Sequence, residues 1–271
     1  MLEIIKAPER PLISVFVPFT RDWSLDRFLP SLSSIIIPRE ETELDFFVDS
    51  DNEVLIKRLR EYLEEKAEEF NGCKLFVSGN PAPLETNISV QRNRIVGMKE
   101  KSKLMISGEY VFGLEDDTLV PPNTFQKLRE TIDGDEDIGF VEGVEAGRHG
   151  IKMVGAWVTN NIHDPTTQKT LLPPRFISDL IEPITGGGFY CYLTTAYLYK
   201  NIKYRYEAEC FGPDVCFVMD VCKLGYEAKV DWGLRVIHMT RKADILVDDN
   251  IKSIEWHKDK QGNWKLQPYR N

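Results

Sequence analysis

The sequence predicts an α/β fold, in which a mostly parallel central sheet flanked by helices carries a smaller portion of mixed or antiparallel strands. Three observations support this. Apolar runs rich in β-branched residues alternate with helix-period segments through the first half of the chain. Those runs stop at proline, glycine or acidic residues. The second half then changes character, to strand pairs set around glycines. A chain of 271 residues can bury a substantial core as one large domain.

Taken in order, residues 12–19 (LISVFVPF) read as a buried strand stopped by Pro18. TRDWSLDRFLPSL feeds a helix with Ser24 as its expected N-cap, because a serine hydroxyl can accept from an early helical N–H. LDFFVDSDN (44–52) is a second strand that ends in acidic and turn-forming residues. A long helix is expected around 53–70, with apolar residues at helical spacing and charges outside. KLFVSG (74–79) is a third strand, NPAPLETNISVQ an irregular loop, and SVQRNRIVGMKEKS a helix. GEYVFGLEDDTLVPP (108–122) drives a short strand into three consecutive acids before Pro121 and Pro122 break the chain. NTFQKLRETI starts the next helix, with Asn123 as expected cap.

IGFVEGVEAGRHGIKMVGAWVTNNI reads as strand–turn–strand, with Gly147 and Gly150 at the turn. DPTTQKTLLPPRF is a polar, proline-rich loop, and ITGGGFYCYLTTAYLY passes from glycine into an aromatic segment. FGPDVCFVMDVCKLGYEAKVDWGLRVIHM gives a loop, a helix, a glycine stop and a strand ending at His238. The tail contains IEWHKDKQGNWKLQPY, a hairpin turning at Gln261-Gly262-Asn263. There is no internal repeat and no low-complexity tract.

A formal net charge of −9 argues against sequence-blind nucleic-acid binding, which needs a basic surface. An acidic protein that handles an anionic ligand needs a cation to bridge the charges. Five scattered cysteines without a C-x-x-C pair point to free thiols rather than a zinc ribbon or redox motif. The N-terminal MLEIIKAPERPL lacks an apolar core of signal-peptide length and no apolar run could span a bilayer, so a soluble, cytoplasmic protein without integral membrane association is expected.

Glu115, Asp116 and Asp117 cannot all stay ionised cheaply side by side, since each carboxylate raises its neighbours' pKa. A hard divalent cation, Mg²⁺ or Mn²⁺, resolves this with oxygen ligands and substrate phosphate. The carboxyl edge of parallel strands is also where open α/β sheets bind ligands. A solvated acidic turn, or a cap before NTFQKLRE, would account for the same residues.

GEYVFGLEDDTLVPPNTF resembles the segment of GT-A-fold glycosyltransferases, particularly family 2, in which a strand delivers a D-x-D-type metal motif. The resemblance implies a Rossmann-like sheet, with Asp117 as the first metal-ligand candidate and Glu115 and Asp116 at the metal and donor. Glu115 departs from the family's aspartate, which makes a ribose or water-mediated contact an equal alternative for it. LISVFVPFTRD resembles the family's first strand, implying donor contacts at Pro18, Phe19 and Thr20. DFFVDSDN implies base recognition by Asp49, with Asp51 second. ISVQRNRIVGMKE resembles the helix start beside the nucleotide and implies Arg92 and Asn93 as contacts.

FGPDVCFVMDVCKLGYEA resembles the family's acid-containing loop and helix, which makes Asp214 the implied general base; the family often has Glu-Asp where this chain has Pro213-Asp214. His238 matches a downstream histidine that completes the metal shell in some members. GGGFYCYLTT implies close backbone approach of Gly186, Gly187 and Gly188 to the ligand, and Trp157, Phe189, Tyr190 and Trp232 are aromatics able to stack on a sugar. The implied activity is inverting, metal-dependent transfer from a nucleotide-sugar, with UDP favoured, to an acceptor hydroxyl. A loop around 163–176 is expected to close over the donor. The acceptor stays open among saccharide, metabolite, protein, lipid-linked sugar and modified nucleic-acid base.

By this reading 1–240 is one GT-A-like domain, 12–122 holding the nucleotide-sugar half and 123–240 the acceptor half, and 241–271 is a tail packed upon it. Two competitors differ in class. A sugar-nucleotide nucleotidyltransferase usually has a glycine-rich basic loop after its first strand, which VFVPFTRDWS lacks. A non-catalytic carbohydrate- or nucleotide-binding module would bind without transfer.

Overall fold

The structure, a computed structural model, describes residues 1–79, 87–146, 155–164, 169–173, 180–210, 212–239, 251–258 and 264–270. The first half delivers strands and helices in alternation. Strand β1 (Leu2–Lys6), which the sequence reading passed over, lies at one edge of the sheet. β2 (Ile13–Phe19), α1 (Leu25–Ser33), β3 (Thr42–Val48), α2 (Glu53–Lys66) and β4 (Gly72–Val77) follow. Helix α3 (Ile88–Ser102) then leads into β5 (Tyr110–Leu114). β4, β3, β2 and β5 lie parallel in that spatial order, so their carboxyl ends share one edge.

Beyond β5 the chain forms β6 (Thr118–Leu119), α4 (Thr124–Asp133) and β7 (Ile138–Ala146). Two three-residue strands, β8 (Trp157–Thr159) and β9 (Lys169–Leu171), form a small antiparallel sheet, and Trp157 also bridges to Gly186. β7 and β8 supply the two strands expected on either side of Gly147 and Gly150, and one expectation is corrected, since the polar loop contains the strand β9. β10 (Ile181–Ile184), β11 (Cys191–Thr195), α5 (Ala196–Asn201), α6 (Pro213–Lys223) and β12 (Glu227–His238) complete the main body. The large sheet has ten strands, because β11 inserts antiparallel between β5 and β7, β12 runs parallel to β7, and β6 pairs with the end of β12. β13 (Ile251–Lys258) and β14 (Trp264–Arg270) form the antiparallel tail hairpin. Gly147, Gly150, Gln261, Gly262 and Asn263 lie outside the described residues, as does part of the 163–176 segment.

Strand periodicity divides the core between two faces. On β2, Ile13, Val15, Val17 and Phe19 pack under α1, α2 and α4, whereas Phe16 faces α3, α5 and α6. Helix α2 contributes Leu55, Leu59 and Leu63, spaced to lie on one stripe and wholly buried. Each such side chain contributes roughly 1.5–3 kcal/mol on leaving water. Caps depart from expectation. Ser24 has helical dihedrals (φ −89°, ψ −18°) and its hydroxyl caps nothing, and Asn123 makes no side-chain cap either. Asn52 and Asn87, both extended, accept from the first helical amides of α2 and α3 instead.

Candidate active site

Glu115, Asp116 and Asp117 leave the carboxyl end of β5 as a tight turn, closed by the Thr118 amide donating to the Glu115 carbonyl at 3.0 Å. The turn returns as β6, whose Thr118 pairs with His238 at the end of β12, and the Met239 amide donates to the Asp117 carbonyl at 2.7 Å. Two strand ends remote in sequence are thereby locked together. His238 Nε2 lies 3.1 Å from Glu115 Oε2 and 3.0 Å from Asp117 Oδ1. The ligand atoms of Glu115, Asp117 and His238 all fall within 4.8 Å of one another.

Asp117 is 1% exposed, and neither of its carboxylate oxygens accepts a hydrogen bond. Arg21 Nη1 approaches one of them to 3.3 Å. Asp116 turns away from the histidine, accepting from the Thr20 amide at 3.1 Å with Arg21 Nε at 3.7 Å. Burial, reinforced by the neighbouring Asp117 charge, pushes Asp116 up to about 7. Two carboxylates and an imidazole, partly desolvated and turned to a common point, fit a divalent cation that accepts mixed oxygen and nitrogen ligands.

A pocket opens beside the acids between the end of β2 and helix α3, with Pro18, Thr20, Arg21, Arg94 and Lys99 among its walls. Arg94 holds Asp49 through Nε to the carboxylate and Nη2 to the backbone carbonyl, and Ser78 donates to the same carboxylate. At the first turn of α6, Asp214 is half-buried. Desolvation raises its pKa against the opposing charge of Arg92. A Cβ on Gly212 would stand 2.2 Å from Asp214 Oδ1, so this carboxylate folds back over the glycine.

No protein-family model matches the sequence, and no curated protein sequence matches it. Solved structures match in three dimensions. GalNAc-T7 with UDP, GalNAc and Mn²⁺ superposes with a TM-score of 0.60 at 17% identity, over 86% of this chain and 44% of that one. The mannosyltransferase PcManGT of Pyrobaculum calidifontis, in complex with GDP-Man and Mn²⁺, gives 0.57 at 15% identity over 91% and 62%. S. aureus TarS 1-349 gives 0.52 at 15% over 84% and 60%. The chain has the GT-A fold. It spans between 44% and 62% of the length of those three chains.

Within this GT-A sheet the residues expected at the site separate into groups. Glu115, Asp117 and His238 converge, and Pro18, Thr20 and Asp116 border the pocket. Phe19 does not: its ring is wholly buried against Phe28 and Phe46, because β2 alternation points it into the core. Asn93 is exposed and donates to the Ser89 carbonyl of its own helix, so Arg94 takes the inward position on α3. Asp51 is exposed beyond the strand end, whereas Asp49 is 6% exposed and committed to Arg94. Arg92 is not among the residues lining the pocket, and its charge acts on Asp214.

Gly187 and Gly188 are buried, and their close packing is against protein. A Cβ on Gly187 would lie 2.4 Å from Glu142 Oε2, and the Gly188 amide donates to that oxygen at 2.6 Å. Phe189, Tyr190 and Trp232 are core residues, while Trp157 is half-buried. Sequence reasoning missed Arg21, Arg94 and Lys99. Only Arg21 had a local signal, its place directly after the strand that Pro18 and Thr20 end.

Proposed function

We propose that this chain is a metal-dependent glycosyltransferase, moving a sugar from a nucleoside-diphosphate sugar, UDP-linked by preference, to an acceptor hydroxyl with inversion at the anomeric carbon. The convergence of Glu115, Asp117 and His238 beside a pocket with Arg21 and Arg94 in its wall supports this above all. These three residues would hold Mn²⁺ or Mg²⁺. When bound, the cation neutralises charge growing on the leaving diphosphate. Arg21, already at the acid turn, adds cationic character at the same end.

Asp214 is the general base. The acceptor oxygen attacks the anomeric carbon as the bond from that carbon to the diphosphate oxygen breaks, and Asp214 takes the hydroxyl proton. Burial raises its pKa, which makes the carboxylate a stronger proton acceptor. The positive charge of Arg92 acts on this carboxylate and opposes the effect of burial. In this reading residues 1–240 form the transferase domain and 241–271 its tail. A reducing, cytoplasmic setting agrees with five free thiols. Among the described residues no helix is long and apolar enough to cross a membrane.

The test is thermal stability with UDP, GDP, CDP, TDP and ADP, with and without Mn²⁺, on wild type and Asp117→Ala. A metal-dependent rise with one nucleotide, lost in Asp117→Ala, is expected by linkage and names the base. No rise with any of the five sinks the transferase reading.

A further inference from the structure

Helix α3 buries a lysine on the side it turns to the sheet. Lys99 is 3% exposed, and its Nζ donates to the Tyr192 hydroxyl at 3.0 Å. Four rings surround the ammonium, with centroids at 4.2 Å (Phe189), 4.8 Å (Phe16), 5.0 Å (Tyr192) and 5.9 Å (Tyr199). Gly113 of β5 makes room for this cage, since a Cβ there would stand 2.1 Å from the Tyr192 ring. Ring faces attract a cation, but they leave N–H donors unfilled: an ammonium carries three, and Tyr192 takes one.

The pocket's other cations are already committed, Arg21 to Asp116 and Asp117 and Arg94 to Asp49. Among the described residues Lys99 forms no ion pair. It shares the pocket wall with Glu115 and Asp116, and the carboxylates whose charge reaches it are Glu115 and Asp214. Those two belong to opposite ends of the proposed reaction, the metal and the base. Burial lowers the Lys99 pKa to about 7, so near neutral pH the side chain is only partly an ammonium, and an oxygen meeting its spare donors would favour the charged form.

We propose that Lys99 reads the transferred sugar, its ammonium donating from the pocket wall to a sugar oxygen, either a hydroxyl or a carboxylate. This rests on the glycosyltransferase reading, which places the sugar between the leaving diphosphate and Asp214. It adds a specificity residue that no acidic or glycine motif contains. Neutral sugars and uronic acids offer the same acceptor chemistry, and the choice between them is experimental.

The experiment is calorimetric titration in Mn²⁺ of wild type, Lys99→Met and Lys99→Gln with UDP, GDP, UDP-glucose, UDP-glucuronate and GDP-mannose. Wild type should bind a nucleoside diphosphate and gain affinity from an attached sugar. Lys99→Met should keep the diphosphate affinity and lose the sugar's increment, about tenfold to a hundredfold for a charge-assisted hydrogen bond. A loss confined to the glucuronate marks a carboxylate partner, and a loss shared by neutral sugars marks a hydroxyl. Lys99→Gln, which retains a donor without charge, should recover part of the neutral-sugar affinity, and it replaces Lys99→Met if that variant does not fold. Equal loss with and without the sugar overturns the proposal, as does unchanged sugar-nucleotide affinity in both variants. A wild type whose affinity ignores the sugar also overturns it. If wild type binds no nucleoside diphosphate, the transferase reading and this proposal fall together.

Discussion

Asp45 sits in the middle of β3, wholly buried, and among the described residues neither carboxylate oxygen accepts a hydrogen bond of good geometry. Lys74 Nζ is 3.5 Å away but spends its donors on Glu43 at 2.6 Å, on Ser107 at 2.7 Å and on the Met105 carbonyl. Burial, followed by the nearby Glu43 charge, therefore holds the Asp45 carboxyl well above the usual carboxylate range. The folded state then binds a proton that the unfolded chain has released, so this residue's contribution falls as pH rises above its ordinary value. Asp45→Asn should match or exceed wild-type stability at pH 7, with the advantage shrinking toward pH 4, as read by urea denaturation across that range. A deficit that stays constant with pH would contradict it.

The same scale explains what could be read beforehand. Three adjacent acids are conspicuous in any sequence, so Glu115 and Asp117 could be picked out. Arg94 and Lys99 look like surface residues of an ordinary charged helix, and only packing reveals that one grips Asp49 and the other lies among aromatic rings. Asn93 and Phe19 misled for the same reason: a neighbouring residue, one step along a helix or strand, owns the inward direction.

At the scale of elements, the first turn of α6 carries the most consequence. Gly212 is extended (φ −168°), a conformation open to any residue, yet its missing Cβ is the space the Asp214 carboxylate occupies. Gly212→Ala should leave the melting temperature near wild type while forcing that carboxylate aside. With Asp214 as base, kcat should fall by about 10²-fold or more. Normal turnover in a folded Gly212→Ala protein would remove Asp214 from that role. Strongly periodic elements were legible, and α2 ends only slightly before its expected limit. The three-residue strand β9 was not, because too few side chains alternate to leave a pattern.

On the scale of the whole molecule, the alternating first half correctly indicated a parallel sheet. The insertion of antiparallel β11 between β5 and β7 was not legible, since strand order depends on long-range pairing that no local run encodes. That arrangement makes the acid turn and the end of β12 neighbours, so an ion shared by Glu115, Asp117 and His238 would tie two distant parts of the sheet together. Mn²⁺ at a hundredfold excess over its Kd should add about 2.7 kcal/mol of stability, seen as a higher melting temperature that EDTA reverses. His238→Ala should lose most of that gain. An undiminished gain would place the cation elsewhere.

The pairing of Thr118 with His238 also sets an order of events. A chain emerging from the ribosome presents its acid turn well before the strand that bears the imidazole exists. An ion met at that stage finds carboxylates alone, a loose oxygen site open to any hard cation, calcium and magnesium included. Only the finished strand brings the nitrogen that favours manganese-like metals over those competitors. If an ion binds there, discrimination between metals would depend on β12 having joined β6, and not on the acids that first attract the ion.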